Sequence, residues 1–300
     1  MSLEMLRKTR TIENRLEQLA TLESASLLAI DPIPNIAAGR LTLTTGVPVT
    51  SSDVTAATTL YFSPYNGNQI ALYDGSSAWS IYEFSELSIS LSGKTADTNY
   101  DVFLYDNSGT LTLELVAWSS SGAGSSTRAT AITLQNGVYV KSGSTTKRYL
   151  GTIRITSTTG QCEDSETKRF VWNMNNQIAR REYKADATFH TYAVNAVRYC
   201  NNDSTNKVEF VVGISGAAMN FGFSASFASS SAGTLVYAGV GVDAIALTFF
   251  TGHSRTAPET KIVTQDLSIA AGYHYIAMVE YPVAVTISVY GMTLSTLAVL

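Results

Sequence analysis

Apolar and polar residues alternate in short runs through most of this chain. From Arg40 onward LTLTTG, TLYFSP, QIALYDG, AWSIYEF, LSISLSG, YDVFLYD and LTLELVAW each place side chains on two faces by turns, the spacing of half-buried strands. Turn residues separate them at Pro64 to Asn68, Asp74-Gly75, Gly93, Asn107 to Gly109 and Gly122 to Gly124. The clearest local pattern runs from Arg128 to Tyr183. Ile132 and Leu134 lead into Asn136-Gly137 and Val138 and Val140 lead out, which predicts a hairpin with a type I′ turn. After a second turn at Ser142-Gly143, KRYLGTIRIT predicts a strand with Tyr149, Ile153 and Ile155 on one face and Arg148, Thr152 and Arg154 on the other. A solvated polar loop with Glu163, Asp164 and Glu166 follows, then a strand around Phe170, Val171 and Trp172.

A second block starts at about Ala185, with strands in TYAVNAVRY, KVEFVVGIS, NFGFSASF, TLVYAGVG, AIALTFF, TKIVTQ, AGYHYIAMVEY and AVTISVYGM. The span Val211 to Val242 has no charged residue. Gly213, Gly216, Gly222 and Ser229-Ser230-Ser231 interrupt it, which predicts successive strands rather than a membrane helix. Only residues 2 to about 30 carry a helical period, with Ser2 as N-cap and Met5, Ile12, Leu16 and Leu19 on one stripe, closed by Pro32 and Pro34. The stripe suits either a short coiled coil that attaches and oligomerises the chain or a helix packed on the protein's own sheet. The expected fold is mainly β: an attachment segment and linker (1–36), then two antiparallel β-sandwich or jelly-roll domains (37–184 and 185–300).

Composition narrows the function classes. Charged residues are only 15% and aromatics 10%, which excludes a disordered chain, and a net charge of −4 offers no footprint for nucleic acid. Cys162 and Cys200 are isolated and read as free thiols. The charged opening of the chain matches no signal segment, so secretion is not expected. His190, His253 and His274 sit in no metal or nucleophile motif, and Gly239-Val240-Gly241 lacks the helix of a phosphate cradle. No catalytic, cofactor-binding or metal-ligating residue is therefore expected. Glu163, Asp164 and Glu166 offer the one carboxylate cluster suited to glycoside hydrolysis. Tyr65, Tyr73 and Trp79 are the candidates for stacking on a glycan, with Tyr65 in the turn SPYNGN expected to be exposed.

The segments Gly46-Val47-Pro48-Val49-Thr50, TLYFSPYNGNQIALYDGSSAW, RAT, GVYVKSG, KRYLGTIR and KRFVWNMNN carry a resemblance. Over about residues 37–183 the chain resembles a module of virion structural proteins in tailed bacteriophages, especially fibre and spike-like surface proteins. AGYHYIAMVEYP and the return strand after it resemble the trimeric tips of phage fibres. The resemblance implies a homotrimer on the virion surface, bound to other capsid or tail proteins and meeting a host-surface glycan. It implies no catalytic residues, and it leaves open a second role, a capsid decoration protein that stabilises the shell.

Overall fold

The computed structural model describes residues 14–18 and 33–299. Residues 14–18 are helical and Leu16 is exposed, whereas Met5, Ile12 and Leu19 lie outside the described residues. Strand accounts for 58% of the chain and helix for 4% among the described residues, so the mainly-β expectation stands.

Two pairs of sheets enclose two cores. In the first half a seven-stranded sheet centres on Asn99–Asn107 and Ser144–Arg154, with Thr110–Ser120 beyond the first and Val138–Lys141 beyond the second. A smaller sheet of Gly39–Thr42, Thr59–Pro64 and Leu87–Ser90 supplies Leu41, Leu60 and Phe62, which pack with Val102, Leu104 and Ile153. The hairpin at Asn136-Gly137 has φ of 50° and 82° with Gln135 opposite Val138, the geometry a type I′ turn requires. In the second half an eight-stranded sheet contains Lys207–Val212, Gly272–Pro282, Val236–Val242 and Phe249–His253. It faces a five-stranded sheet of Ala179–Asp186, Ile287–Val299, Ala217–Ser229 and Glu259–Ile269, joined by His190–Tyr192. Phe221, Phe223 and Phe227 from one sheet meet Phe210, Ile276 and Met278 from the other.

The halves are stitched together. The eight-stranded sheet begins with Val54–Ala57, Cys162–Asp164 and Lys168–Arg169, and the last of these pairs in parallel with Lys207–Val212. The boundary expected at residues 184 and 185 falls inside the strand Ala179–Asp186, whose partner is the C-terminal strand. Across the seam runs a buried network. Arg128 donates from Nε to Asp101 (2.6 Å) and from Nη2 to the Gly213 carbonyl (2.5 Å), while Thr152 donates to the same carboxylate (2.7 Å).

One expected face assignment is corrected. Ser144–Arg154 carries a bulge between Tyr149 and Gly151, which adds a residue and reverses the alternation beyond it. Tyr149 therefore shares a face with Thr152, 2.6 Å away through their hydroxyls, while Leu150, Ile153 and Ile155 point into the other core. Gly151 is required there: a Cβ would lie 2.1 Å from the Trp172 carbonyl oxygen.

Candidate binding cleft

Where the bulged strand ends, the seam opens. Arg154 closes Ser144–Arg154, and around it stand Lys168, Lys184, Lys207, Glu209 and Tyr273, each delivered by a different strand or a neighbouring position of the shared sheets. Together with Asp97 and the hydroxyls of Thr156, Ser157, Thr167, Ser204 and Thr205 they line a cleft of about 550 Å³. The period-2 rule brings these groups together, since Lys207 and Glu209 share a face on one strand and Tyr273 and Tyr275 share a face on its neighbour.

Arg154 is the organising group. Its guanidinium lies 3.7 Å from the Tyr273 ring centroid, and Nη1 donates to Asn99 Oδ1 and the Ser121 carbonyl, both at 3.1 Å. Burial pulls its pKa below the usual arginine value, against the pull of Tyr273 and Asp97. Its salt-bridge partner among the described residues, Asp97 at 3.3 Å, is 64% exposed while the Arg154 side chain is 6% exposed, and Glu209 attracts it through space. Tyr273 donates to Glu209, and burial together with that carboxylate pushes its phenol well up. Tyr275 behind it is pushed up to about 12, first by burial and then by the Tyr199 phenol. Lys207 is bound to Glu209 at 3.0 Å and lies 5.1 Å from the Tyr275 ring centroid.

A second lobe of about 400 Å³ shares Asp97, Arg154 and Tyr273 with the first and continues past Ser119, Ser120 and Ser121 to Trp118. Trp118 is 6% exposed, sandwiched under Arg128 (4.4 Å to the ring centroid), and its Nε1 has no hydrogen-bond partner among the described residues. Hydroxyls and a few charged groups in one two-lobed groove can hold a polyhydroxylated ligand by many directed hydrogen bonds.

The residues singled out from sequence lie elsewhere. Tyr73 and Trp79 face each other across their hairpin at 5.4 Å and are buried with Val138 and Val140, Trp79 donating to Asn136 Oδ1, so neither presents a ring face to solvent. Tyr65 is half-buried beneath Arg40. Glu163 and Asp164 are not in a solvated loop but in the strand Cys162–Asp164, with side chains 13% and 16% exposed. Glu163 is held by Lys168 at 3.1 Å and Asp164 by Arg169 at 2.9 Å and Arg180 at 3.4 Å, while Glu166 is exposed. Both nitrogens of every histidine are engaged: His190 with Glu280 and the Thr188 carbonyl, His253 with Glu259 and the Ala257 carbonyl, His274 with Asp243 and the Ala270 carbonyl. Cys162 and Cys200 are free and buried.

The cleft residues escaped the sequence reading, although a signal existed. In a chain with few charges, Arg154, Lys168, Lys184, Lys207 and Glu209 all lie within strands, where a charge needs a reason.

No protein-family model matches the chain, and no curated protein sequence matches it. Among solved structures it is similar to the CBM36-1 domain of a multidomain xylanase from the hindgut metagenome of Trinervitermes trinervoides, at 12% identity over 40% of this chain and 96% of that one, with a TM-score of 0.22. It is also similar to infectious bursal disease virus, Gx strain, at 12% identity over 82% and 69% with a TM-score of 0.22. Dimeric latent PorU from Porphyromonas gingivalis aligns at 10% identity with a TM-score of 0.28, over 67% of this chain and only 22% of PorU.

Proposed function

We propose that this chain is a structural protein of a bacteriophage virion, a short homo-oligomeric fibre or spike on the particle surface that binds a host-surface glycan and catalyses no reaction. The observation that carries the binding role is the two-lobed cleft joined at Arg154 and Tyr273 and walled by hydroxyls and charged groups. The virion placement draws on the motifs in residues 37–183 and on the hydroxyl-rich, sparsely charged strands. The absence of catalysis draws on the locked state of the candidate groups: Glu163 and Asp164 are each neutralised by a cation, and no histidine nitrogen meets a nucleophile among the described residues. In this reading the segment carrying Met5, Ile12, Leu16 and Leu19 fastens the oligomer to the particle.

The test is gold labelling of the protein on intact particles, combined with particles that lack it. Label at an outward projection and loss of adsorption with heat-resistant heads are expected. Label spread over the shell, with normal adsorption and heat-fragile heads, would replace the fibre by a capsid decoration protein. Release of reducing sugar from host capsule, abolished by Glu163→Gln, would overturn the non-catalytic assignment.

A further inference from the structure

The cleft's charge pattern says more about its ligand than that it carries hydroxyls. The chain as a whole has more acidic than basic residues, 24 against 20, yet the first lobe reverses that balance. Arg154, Lys168, Lys184 and Lys207 line it against Asp97 and Glu209. The cations are also unequally matched. Lys207 has Glu209 and Lys168 has Glu163, whereas Lys184 makes no salt bridge among the described residues: it reaches the Thr205 hydroxyl at 3.5 Å and attracts Asp203 through space. Arg154 is withdrawn from water while its carboxylate partner Asp97 remains largely in water, so the Coulomb attraction between them is screened and does little to offset the cost of burying the guanidinium. A buried cation whose salt-bridge partner lies in water, lining an open cleft together with a lysine that makes no salt bridge among the described residues, is an arrangement an incoming anion completes.

We infer that the cleft selects an acidic sugar, a polyhydroxylated ring bearing a carboxylate, with the carboxylate seated between Arg154 and Lys184 and the remaining ring hydroxyls met by the serine and threonine walls. The inference rests on the glycan-binding role proposed above and adds the charge class of the ligand. Polyhydroxylated rather than simply anionic follows from the lining: a bare anion has no use for Thr156, Ser157, Thr167, Ser204 and Thr205. A carboxylate suits the fork of an arginine whose planar face is already fixed over a tyrosine ring.

The experiment titrates the whole chain, by calorimetry at low salt, with methyl glycosides of glucuronic, galacturonic and N-acetylneuraminic acid. The same three sugars with the carboxyl group reduced to a hydroxymethyl serve as matched neutral probes. At least one acid is expected to bind at least tenfold more tightly than its reduced counterpart, with the preference shrinking as salt is raised. Lys184→Met, a substitution at a partly exposed position, is expected to remove most of that preference while leaving the folded state intact by circular dichroism. Equal binding of an acid and its reduced form would overturn the charge class and leave the glycan role standing. Absence of binding by all six probes would overturn both. Retention of the full preference in Lys184→Met would overturn the placement of the carboxylate.

Discussion

Two long strands of this protein obey different rules. Ala217–Ser229 alternates without interruption over its core: Met219, Phe221, Phe223, Ala225 and Phe227 are buried, while Ala218, Asn220, Gly222, Ser224 and Ser226 face outward to varying degrees. Ser144–Arg154 is buried on both faces from Arg148 to Arg154, carries arginines at 148 and 154, and breaks its alternation at Gly151. The first strand is held by apolar area, the second also by buried arginines bonded to neutral acceptors, Arg148 to the carbonyls of Pro34, Ile36 and Ala71 and Arg154 to Asn99 and the Ser121 carbonyl, and by a bulge. The difference matters for function, because a strand that lies between two cores can end in a cleft between them, as this one does at Arg154. A strand with one wet face closes a sandwich and contributes no seam.

The largest expected effects test whether the two strands fail differently. Phe223→Ala in the regular strand should cost about 3–5 kcal/mol through lost transfer energy and the cavity left behind. Asp101→Ala, opposite the bulged strand, should cost a similar ~3–5 kcal/mol for another reason: it removes the one carboxylate bonded to the part-buried Arg128 guanidinium among the described residues, together with an acceptor of the Thr152 hydroxyl. The rescue distinguishes them. Asp101→Leu combined with Arg128→Met should recover much of the loss, since an apolar pair of similar volume replaces an uncompensated charge. Urea denaturation of the variants reads all of this. If the double variant is no more stable than Asp101→Ala, the network is not what holds the seam.

An intermediate effect comes from a single charge-capable residue in the regular sheet. Glu182 is fully buried; it accepts from the Thr296 hydroxyl, and its Oε1 has no partner among the described residues. Burial pushes its carboxyl up to about 8, against an ordinary value of 4.5. The folded state therefore keeps a proton that the unfolded chain releases. The stabilisation is complete below about pH 4.5 and is lost as pH rises through 8. Between pH 5 and 7 the global stability should fall by about 2–3 kcal/mol from this group. Glu182→Gln keeps the shape and an acceptor for Thr296, and it should flatten that slope in thermal melts across the range. An unchanged slope would mean that the carboxyl is ionised in place.

The same contrast explains how much of the molecule was legible. The mainly-β class, the turn at Asn136-Gly137 and the strands of the uncharged span 211–242 could be read because each follows from period-2 alternation or turn chemistry, which are local. The face of Tyr149 could not, because a bulge one residue long reverses everything after it and the glycine that marks it also fits a plain strand. Nor could the cleft. Arg154, Lys184 and Lys207 are brought together by a parallel pairing between Lys168–Arg169 and Lys207–Val212, a contact that no alternation within either strand encodes. Tyr73 and Trp79 carry the flat apolar face and polar tip that suit a ligand site and a core alike. Their shared face is covered by Val138 and Val140 of the neighbouring sheet.

The smallest expected effect sharpens the comparison at the end of the second sandwich. His190–Tyr192 pairs with the C-terminal strand, and Arg198–Tyr199 pairs with Gly272–Pro282, so the segment between them bridges the two sheets. Glu280, fully buried, joins both ends of that bridge through His190 Nε2 (2.8 Å) and Arg198 Nε (2.7 Å). Burial disfavours the imidazolium, and Arg198 repels it, but the bonds to Glu280 and the Thr188 carbonyl outweigh both and hold the pKa above the ordinary 6.5. A raised value means stability that is fully present below about pH 6.5 and is lost as pH rises through the folded-state pKa. Arg198 keeps its hold on Glu280 throughout, so the loss should be modest, about 1 kcal/mol or less. Hydrogen exchange at the amides of residues 190–192 is the appropriate measurement, because a local latch loosens locally before it registers in a global melt. Protection there should fall as pH is raised above 7 once the intrinsic exchange rate is corrected for, while amides of Ala217–Ser229 stay unchanged. In His190→Gln the neutral amide keeps a bond to Glu280 without the charge, so protection should be lower and independent of pH. A pH dependence that survives in this variant would assign the titration to another group and leave His190 as packing alone.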